Sequence, residues 1–479
     1  MAKDRQYYSA IELEDKRICS DCVDESFLSG LVEKNGKRRK CSYCKVVSKT
    51  FSLKELADRT QAVLEQFYQR TSDNPDSYQS AMLADRESDY FWEREGELIT
   101  DVIEEVAEIP RKAAEDVQSI LQERFSSRSA EEIGEETEFE QDSQYEYVGV
   151  ESKAWEDKWI EFENSLKTNT RYFNQLGKDY LDDVFKDINQ LRMIKGNPII
   201  VVGPTHSLKS VFRARVFLSD ENLRNALISI VDNLGPPDSQ FAKAGRMNAT
   251  GISVFYGATD DHTALAEVRP PVGSKVAVAK FTFMRELRLL NLLELKNIRI
   301  DGSLFNEAHA GLLSRVQFLN QLCEKMTMPV MPGEEETEYL VTQAVADYLS
   351  MDNTINLDGI VFPSIQIRKG SNIVLFQKAS KVEQRTLPAG TKVSVTLWEY
   401  GEDGPYPWFT VSEETPLGRV TEPTPKVDND LRLPSLAIAD QDIRIHLIEE
   451  VQYKSDPHDL YIRRYKKVDY EEMKKRTEF

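Results

Sequence analysis

No stretch of these 479 residues approaches the roughly 18 consecutive apolar residues that a membrane-crossing helix needs. The opening Met-Ala-Lys-Asp-Arg-Gln-Tyr-Tyr lacks the apolar core of a secretory signal. A cytoplasmic protein without membrane contact, its thiols reduced, is therefore expected. Positive charge is in short supply: 61 basic residues face 81 acidic ones, for a net charge of −20. That balance repels polyanions and argues against broad nucleic-acid binding, while leaving room for a local basic site. Histidine is scarce too. All five (His206, His262, His309, His446 and His458) lie outside residues 50–195, so the helical stretch there lacks the histidine that helical nucleases carry shortly after an arginine. What is present suffices for globular cores, with 40% hydrophobic and 9% aromatic residues, and the length argues for two to four domains.

Of five cysteines, four fall in two C-x-x-C pairs, Cys19/Cys22 and Cys41/Cys44, separated by 18 residues. Two such turns can aim four thiolates at one ion, and the spacing predicts a zinc ribbon. With all four positions taken by protein, the zinc would be structural. Lys34, Lys37, Arg38, Arg39 and Lys40 between the pairs read as a solvated hairpin tip, with nucleic-acid contact as the weaker alternative. Cys323 sits in an apolar helical stretch and is expected in a core.

Helical spacing of apolar residues recurs from Leu53 to Gln69, from Leu98 to Phe125 and from Trp155 to Leu191. Trp155, Trp159, Phe162 and Leu166 line one face of the last and are expected to be core. Between Arg128 and Lys153 there is no basic residue, and eight acidic ones fall between Glu131 and Glu146; that run reads as a solvated or mobile linker. Beyond the expected strand Pro198–Val202, Gly203-Pro-Thr-His-Ser-Leu-Lys-Ser210 has the spacing of a phosphate-binding loop, but Leu208 replaces its second glycine. A leucine there obstructs both turn and ligand, so nucleoside triphosphate hydrolysis is not expected.

The densest polar signal lies downstream. Arg213 and Arg215 alternate onto one face of a strand within Ser210–Phe217. Gly245-Arg246-Met247-Asn248 follows, then Gly251, an apolar strand from Ile252 to Tyr256, and a short helix from His262 to Val268 that carries Glu267, with Asp260 or Asp261 as its cap. A helix from Tyr339 to Leu349 precedes Asp358-Gly-Ile-Val-Phe-Pro-Ser364 and Gly370-Ser-Asn372-Ile-Val-Leu-Phe376. Taken singly, each residue has a bland alternative: a Glu267–Arg269 surface pair, a solvated Arg246, an edge-of-core Tyr256, a turn-forming Ser364. In this order over residues 205–380, the blocks together resemble the RES domain, a family named for its arginine, glutamate and serine. The Cys-x-x-Cys module and helices resemble the HEPN/RES N-terminal region attached to some of its members.

That resemblance implies an ADP-ribosyltransferase-like fold and an enzyme that consumes NAD. Arg213 or Arg215 is the family's first arginine, and both stay candidates. Guanidinium groups match phosphate oxygens, so Arg213, Arg215 and Arg246 are expected to grip the NAD diphosphate. Glu267 is expected to stabilise the cationic ribose as the nicotinamide bond breaks, or to orient the nucleophile. Tyr256 would pack on the nicotinamide or ribose, Ser364 would place Glu267 or bond the amide, and Asn248 and Asn372 join the substrate-binding set. Members similar to this chain act as NAD-depleting toxins held in check by a partner, which implies an inhibitory or activating protein here as well.

The expected class is α+β and multidomain: a zinc ribbon (1–50), a helical scaffold or regulatory region (51–195, acidic linker near 129–152), a mixed-sheet catalytic domain (196–385) and a β-rich extension (386–479). In the extension, strands are expected around Val393–Leu397, Phe409–Val411, Ile443–Ile448 and Leu460–Ile462, with proline-rich residues 416–435 linking its halves and a frayed C-terminus. NAD phosphorolysis or glycohydrolysis is the favoured activity. ADP-ribosyl transfer to a macromolecule is the alternative, and a non-enzymatic zinc-ribbon interaction protein the non-catalytic rival.

Overall fold

The computed structural model describes residues 10–464, apart from 86–87, 128–133, 151, 194–195, 332, 353, 417–429 and 453. Most of the proline-rich linker and the C-terminus expected to fray lie outside the described residues. The chain is α+β with a large mixed sheet, as expected, and no described helix is long and apolar enough to cross a membrane.

The N-terminal module is a three-stranded sheet of β1 (Arg17–Cys19), β2 (Lys37–Lys40) and β3 (Val47–Ser52), in the order β1-β3-β2. The basic run is thus not a hairpin tip: Lys37 to Lys40 form an exposed edge strand paired with β3. Helices α1 (Ala10–Glu14) and α2 (Ser26–Asn35) flank it. The Tyr43 hydroxyl and Lys16 Nζ both reach Asp116, at 2.8 and 2.7 Å, and so tie the module to the helices behind.

Those helices are α3 (Leu53–Phe67), α4 (Ser77–Ala84), α5 (Ile99–Ala107) and α6 (Arg111–Phe125). The stretch expected as one helix from Leu98 breaks between α5 and α6, where Glu108 takes a left-handed φ of 45° just before Ile109-Pro110. A second three-stranded sheet joins β4 (Tyr68–Arg70), β5 (Glu97–Leu98) and β6 (Gln144–Tyr147). The acidic run is therefore not a mobile linker over its described part. Phe139 and Tyr145 are buried, and Glu136 is held by Arg70 at 2.9 Å and Arg94 at 2.6 Å. Glu136 and Glu138 are paired with arginines from the preceding segments, which composition within the run cannot reveal; residues 128–133 and 151 lie outside the described residues.

Helices α7 (Lys153–Thr168) and α8 (Gln175–Phe185) belong to a different core. Trp155, Trp159 and Tyr180 pack on Phe318 of the long helix α12 (Glu307–Thr327), with Phe162 against Trp159 and Tyr180; α12 and α13 (Glu335–Met351) cover one side of the large mixed sheet. Cys323 packs on the same core, as expected. Residues 51–195 are thus shared between two cores, one around α3, α5 and α6 and one around α7, α8, α12 and α13.

Eight strands form the main sheet: β7 (Ile199–Val202), β8 (Ser210–Phe217), β9 (Phe255–Ala258), β10 (Lys275–Phe283), β11 (Leu287–Asn291), β12 (Gly359–Pro363), β13 (Ser371–Leu375) and β16 (Leu436–Leu447). Their order is β16-β10-β8-β9-β13-β12-β11-β7. β10 and β11 stand five positions apart in that order, about 24 Å in a flat sheet, yet a three-residue turn joins them. A chain that short reaches only about 14 Å, so the sheet must fold over on itself. The interior confirms it: Val211, Phe255, Ala279, Phe281, Leu289, Ile373 and Leu375, from both halves, share one buried cluster. The short helices α9 (Asp220–Ile228) and α10 (Ile230–Leu234) follow β8, and α10 closes this interior.

The segment after β7, with Gly203 as its one glycine, is a plain turn into β8. Gly203 N–H bonds the Leu208 carbonyl, and His206 pairs with Glu286 at 2.9 Å, so the turn closes on itself and leads to a strand instead of a helix. Of the expected extension, β14 (Lys392–Gly401) and β15 (Gly404–Glu414) make a separate hairpin, whereas β16 is the edge strand of the main sheet, paired along β10. Leu460–Ile462 form no strand and are exposed.

Close strand packing makes Gly359 a sensitive position: a Cβ there would collide with the Val374 carbonyl oxygen. Gly359→Ala is expected to lower unfolding free energy by about 1–3 kcal/mol in urea titrations. Gly30→Ala, in open space on α2, should be neutral or add about 0.5–1 kcal/mol.

Candidate active site

β8 and β9 are paired at one position only, Phe212 with Ala258, while β10–β8 has eight paired positions and β13–β9 four. The sheet therefore opens beside Arg213 to Arg215. Gly257 allows the single contact: any Cβ there would press on the Phe212 carbonyl and the Phe255 ring. Across the opening, Arg213 Nη1 donates to the Tyr256 carbonyl at 2.8 Å, standing in for the missing ladder. Arg213 lies over the Phe255 ring, 5.3 Å from its centroid, and its buried Nε has no partner. Arg215 Nη2 donates to the Gly235 carbonyl at 3.3 Å. Neither has a carboxylate partner among the described residues. Burial, reinforced by the neighbouring charge of Arg215, pushes Arg213 down to about 10, and burial lowers Arg215 as well. Two uncompensated guanidiniums side by side are the electrostatic mark of a place that takes an anion.

On the other face lies the acidic centre. Asp260 caps α11 (Asp261–Glu267) by accepting the Thr263 N–H at 2.7 Å, and Ala264 and Leu265 pack it against Ala214, Val276 and Val278. Glu267, in the last turn, receives two hydrogen bonds on one oxygen: Ser364 Oγ donates to Oε1 at 2.5 Å and Asn372 Nδ2 at 2.8 Å. Oε2 receives none from a described residue. Ser364 Oγ in turn accepts the N–H groups of Gln366 and Ile367, which fixes its hydroxyl proton toward Glu267. The 364–370 loop is held from α11 as well. Arg269, at a left-handed φ of 44°, faces the Gln366 amide; in the amide orientation that satisfies both of its ends, the oxygen accepts from Arg269 Nη2 and Nε at 2.8 and 3.0 Å, which braces this loop.

Tyr256 links the two sides. Its ring is on the Glu267 face, diagonal to Asn372, because Ala258 pairs with Asn372 and Tyr256 with Val374. Its hydroxyl accepts the Met247 N–H and donates to Asn248 Oδ1, both at 2.9 Å, and burial raises its pKa so that the proton stays. Gly245 leaves room for that hydroxyl.

Two expected ligand residues are committed elsewhere. Asn248 is buried, and its amide donates to the carbonyls of Lys243, Ala249 and Ile252 at 2.9–3.1 Å, so it shapes its own loop. Arg246 bonds the Met326 and Met328 carbonyls at the end of α12, at 3.3 and 2.8 Å, and lies over the Tyr339 ring. Among the described residues, no hydrogen bond or ion pair joins Arg213, Arg215 or Arg246 to Glu267. Strand alternation sends Arg213 and Arg215 inward with Val211, α11 holds Glu267 outside, and helix-end carbonyls hold Arg246. The strand expected at Ile252–Tyr256 also begins later, at Phe255. Thr342 and Gln343 of α13 bond the carbonyls of Arg246 and Gly245 at 2.5 and 2.8 Å. The sign of such a role was two adjacent polar residues amid the apolar positions of that helix.

At the other end of the chain, the sulfurs of Cys19, Cys22, Cys41 and Cys44 lie within 4.8 Å of one another, a set that can hold a metal ion. Burial raises Cys19 to about 11 and Cys22 further. Burial also opposes ionising Cys41, but the N–H groups of Cys44 and Tyr43 aimed at its sulfur bring it down to about 7.

Two family models match this chain, the RES domain over residues 232–408 and the HEPN/RES N-terminal domain 1 over residues 34–180. The chain thus contains a RES domain preceded by a HEPN/RES N-terminal domain, the arrangement of a long-form RES protein. No curated protein and no solved structure matches it. The RES match contains Tyr256, Glu267, Ser364 and Asn372 and begins downstream of β8, although the sheet makes β8 a neighbour of β9. The family places the protein among NAD-related enzymes.

Replacing Asn372 by Asp puts a second carboxylate where a donor touched Glu267. Near pH 4 one of the pair can keep a proton and bridge; as pH rises, both must ionise in the fold while the unfolded chain ionises freely. Asn372→Asp should therefore lose stability relative to the parent as pH rises from 4 to 8, by about 2 kcal/mol at the upper end, followed by thermal unfolding.

Proposed function

We propose that this RES protein cleaves the nicotinamide–ribose bond of NAD, passing ADP-ribose to phosphate or water. The observation that carries the reading is the clamped Glu267: Ser364 and Asn372 fix one oxygen and leave Oε2 for the substrate. A carboxylate held this way stabilises positive charge that develops on the ribose only as the bond breaks. The electron pair of that bond returns to the pyridinium ring and releases neutral nicotinamide, while an acceptor oxygen bonds the anomeric carbon. Water must also give up a proton, for which Oε2 is the unclaimed acceptor. The diphosphate is assigned to the opening between β8 and β9, where it would supply the negative charge that Arg213 and Arg215 lack. Tyr256, protonated and fixed at its hydroxyl, offers its ring as the wall between the two sides. Arg246 is assigned to positioning: it ties the loop before Tyr256 to α12.

The four cysteines are assigned to zinc, whose thiolate-rich tetrahedral preference fits the set, in a structural role. In this reading the N-terminal module and helices carry the control that a toxin-type NAD-degrading enzyme of the cytoplasm requires, through a protein partner. Transfer of ADP-ribose to a macromolecule is the second chemical outcome open to the same centre.

Incubation with NAD, with and without phosphate, should release nicotinamide as measured by chromatography, and Glu267→Gln should slow release about a hundredfold or more. Phosphate dependence with a free ADP-ribose phosphate product identifies phosphorolysis, whereas label on protein or nucleic acid identifies transfer; unchanged release by Glu267→Gln discards its role. Elemental analysis should find one zinc per chain, and Cys41→Ser should lose it and lower the melting temperature.

A further inference from the structure

Away from the β8–β9 opening, a cleft of about 570 Å³ lies between α7, the end of α8 and α12. Its floor is Arg315, in the middle of α12. This side chain is only 7% exposed, makes no hydrogen bond or ion pair to any described residue, and has a buried Nε without a partner. Burial depresses its pKa, and Asp187 and Asp183 counteract that from a distance without touching it. A guanidinium with its donors idle is costly, and the cost is recovered when an anion supplies acceptors.

The walls indicate the rest of the ligand. Lys158 and Lys186 add positive charge, so three cations face the two carboxylates of Asp183 and Asp187 on a chain that is otherwise strongly acidic. Trp155 supplies an aromatic wall, backed by Phe318 in a stacked arrangement 6.2 Å away, with Lys158 Nζ over the ring 5.4 Å from its centroid, a cation that an incoming base displaces toward the phosphate. A small excess of positive charge suits one phosphate, and an indole beside it suits a flat ring. The volume falls in the range of small-molecule sites.

We propose that this cleft is a second ligand site, taking a nucleoside monophosphate with its phosphate on Arg315 and its base along Trp155. It is independent of the NAD reading. Its place gives it consequence: α7 lies in the N-terminal family match and α12 in the RES match, so an occupant touches both.

Isothermal titration of the full chain with AMP tests this, beside adenosine and inorganic phosphate. AMP should bind, and both fragments should bind more weakly. Arg315→Met should weaken AMP about tenfold or more and, by removing an unpaired buried charge, raise the melting temperature without ligand. Gly311→Met gives an independent check, because a side chain there enters open space in the cleft; it should block AMP with no change of charge. Arg213→Met should leave AMP binding intact. The proposal is overturned if AMP does not bind, if both cleft variants bind it unchanged, or if binding is lost in Arg213→Met instead. A lower melting temperature for Arg315→Met would make Arg315 a structural partner of the aspartates, and equal affinity for inorganic phosphate would remove the base from Trp155; either result also overturns it.

Discussion

The lone pairing of Phe212 with Ala258 is the constraint on which the eight-stranded sheet depends. It keeps one continuous sheet where the strands would otherwise part, and it leaves the backbone beside it open. A polar side chain had to cross that gap, and Arg213 does so through the Tyr256 carbonyl. The same strand carries the tyrosine whose hydroxyl orders the 245–252 loop, and its end pairs with the asparagine that holds Glu267. Arginine, tyrosine and glutamate therefore report to one four-residue strand, although they do not converge on one point.

The boundary between the N-terminal helices and the catalytic sheet is equally interwoven. Aromatic side chains of α7 and α8 complete the core around α12, while Phe305 and Ala310, at the start of α12, are buried in the core of α3, α5 and α6. Each side contributes apolar surface to the other, at about 25 cal/mol per Å² buried. Separating the two parts would expose both.

Much of this was legible in the chain alone, and what was not has physical causes. The Cys-x-x-Cys spacing, the aromatic face of α7, the Asp260 cap and the Glu267–Ser364 relation all rest on local chemistry or on ordered motifs. The failures concern partners distant in sequence. Nothing within the acidic run announces Arg70 and Arg94, so its negative charge reads as repulsion instead of pairing. The carbonyls that Asn248 and Arg246 bond, in the 243–252 loop and at the end of α12, could not be read from the motif. Arg269 seemed free to neutralise Glu267, but its left-handed backbone turns it to Gln366. Alternation correctly put Arg213 and Arg215 on one face, yet only the folding over of the sheet decides that this face is the inner one.

The place of β16 carries a further consequence for biosynthesis. Residues 436–447 seal one edge of a sheet whose other seven strands are complete by residue 375. During translation, β10 must wait with an unpaired edge while the intervening hairpin is made. The emerging polypeptide thus holds every residue of the Glu267 clamp before that border is covered.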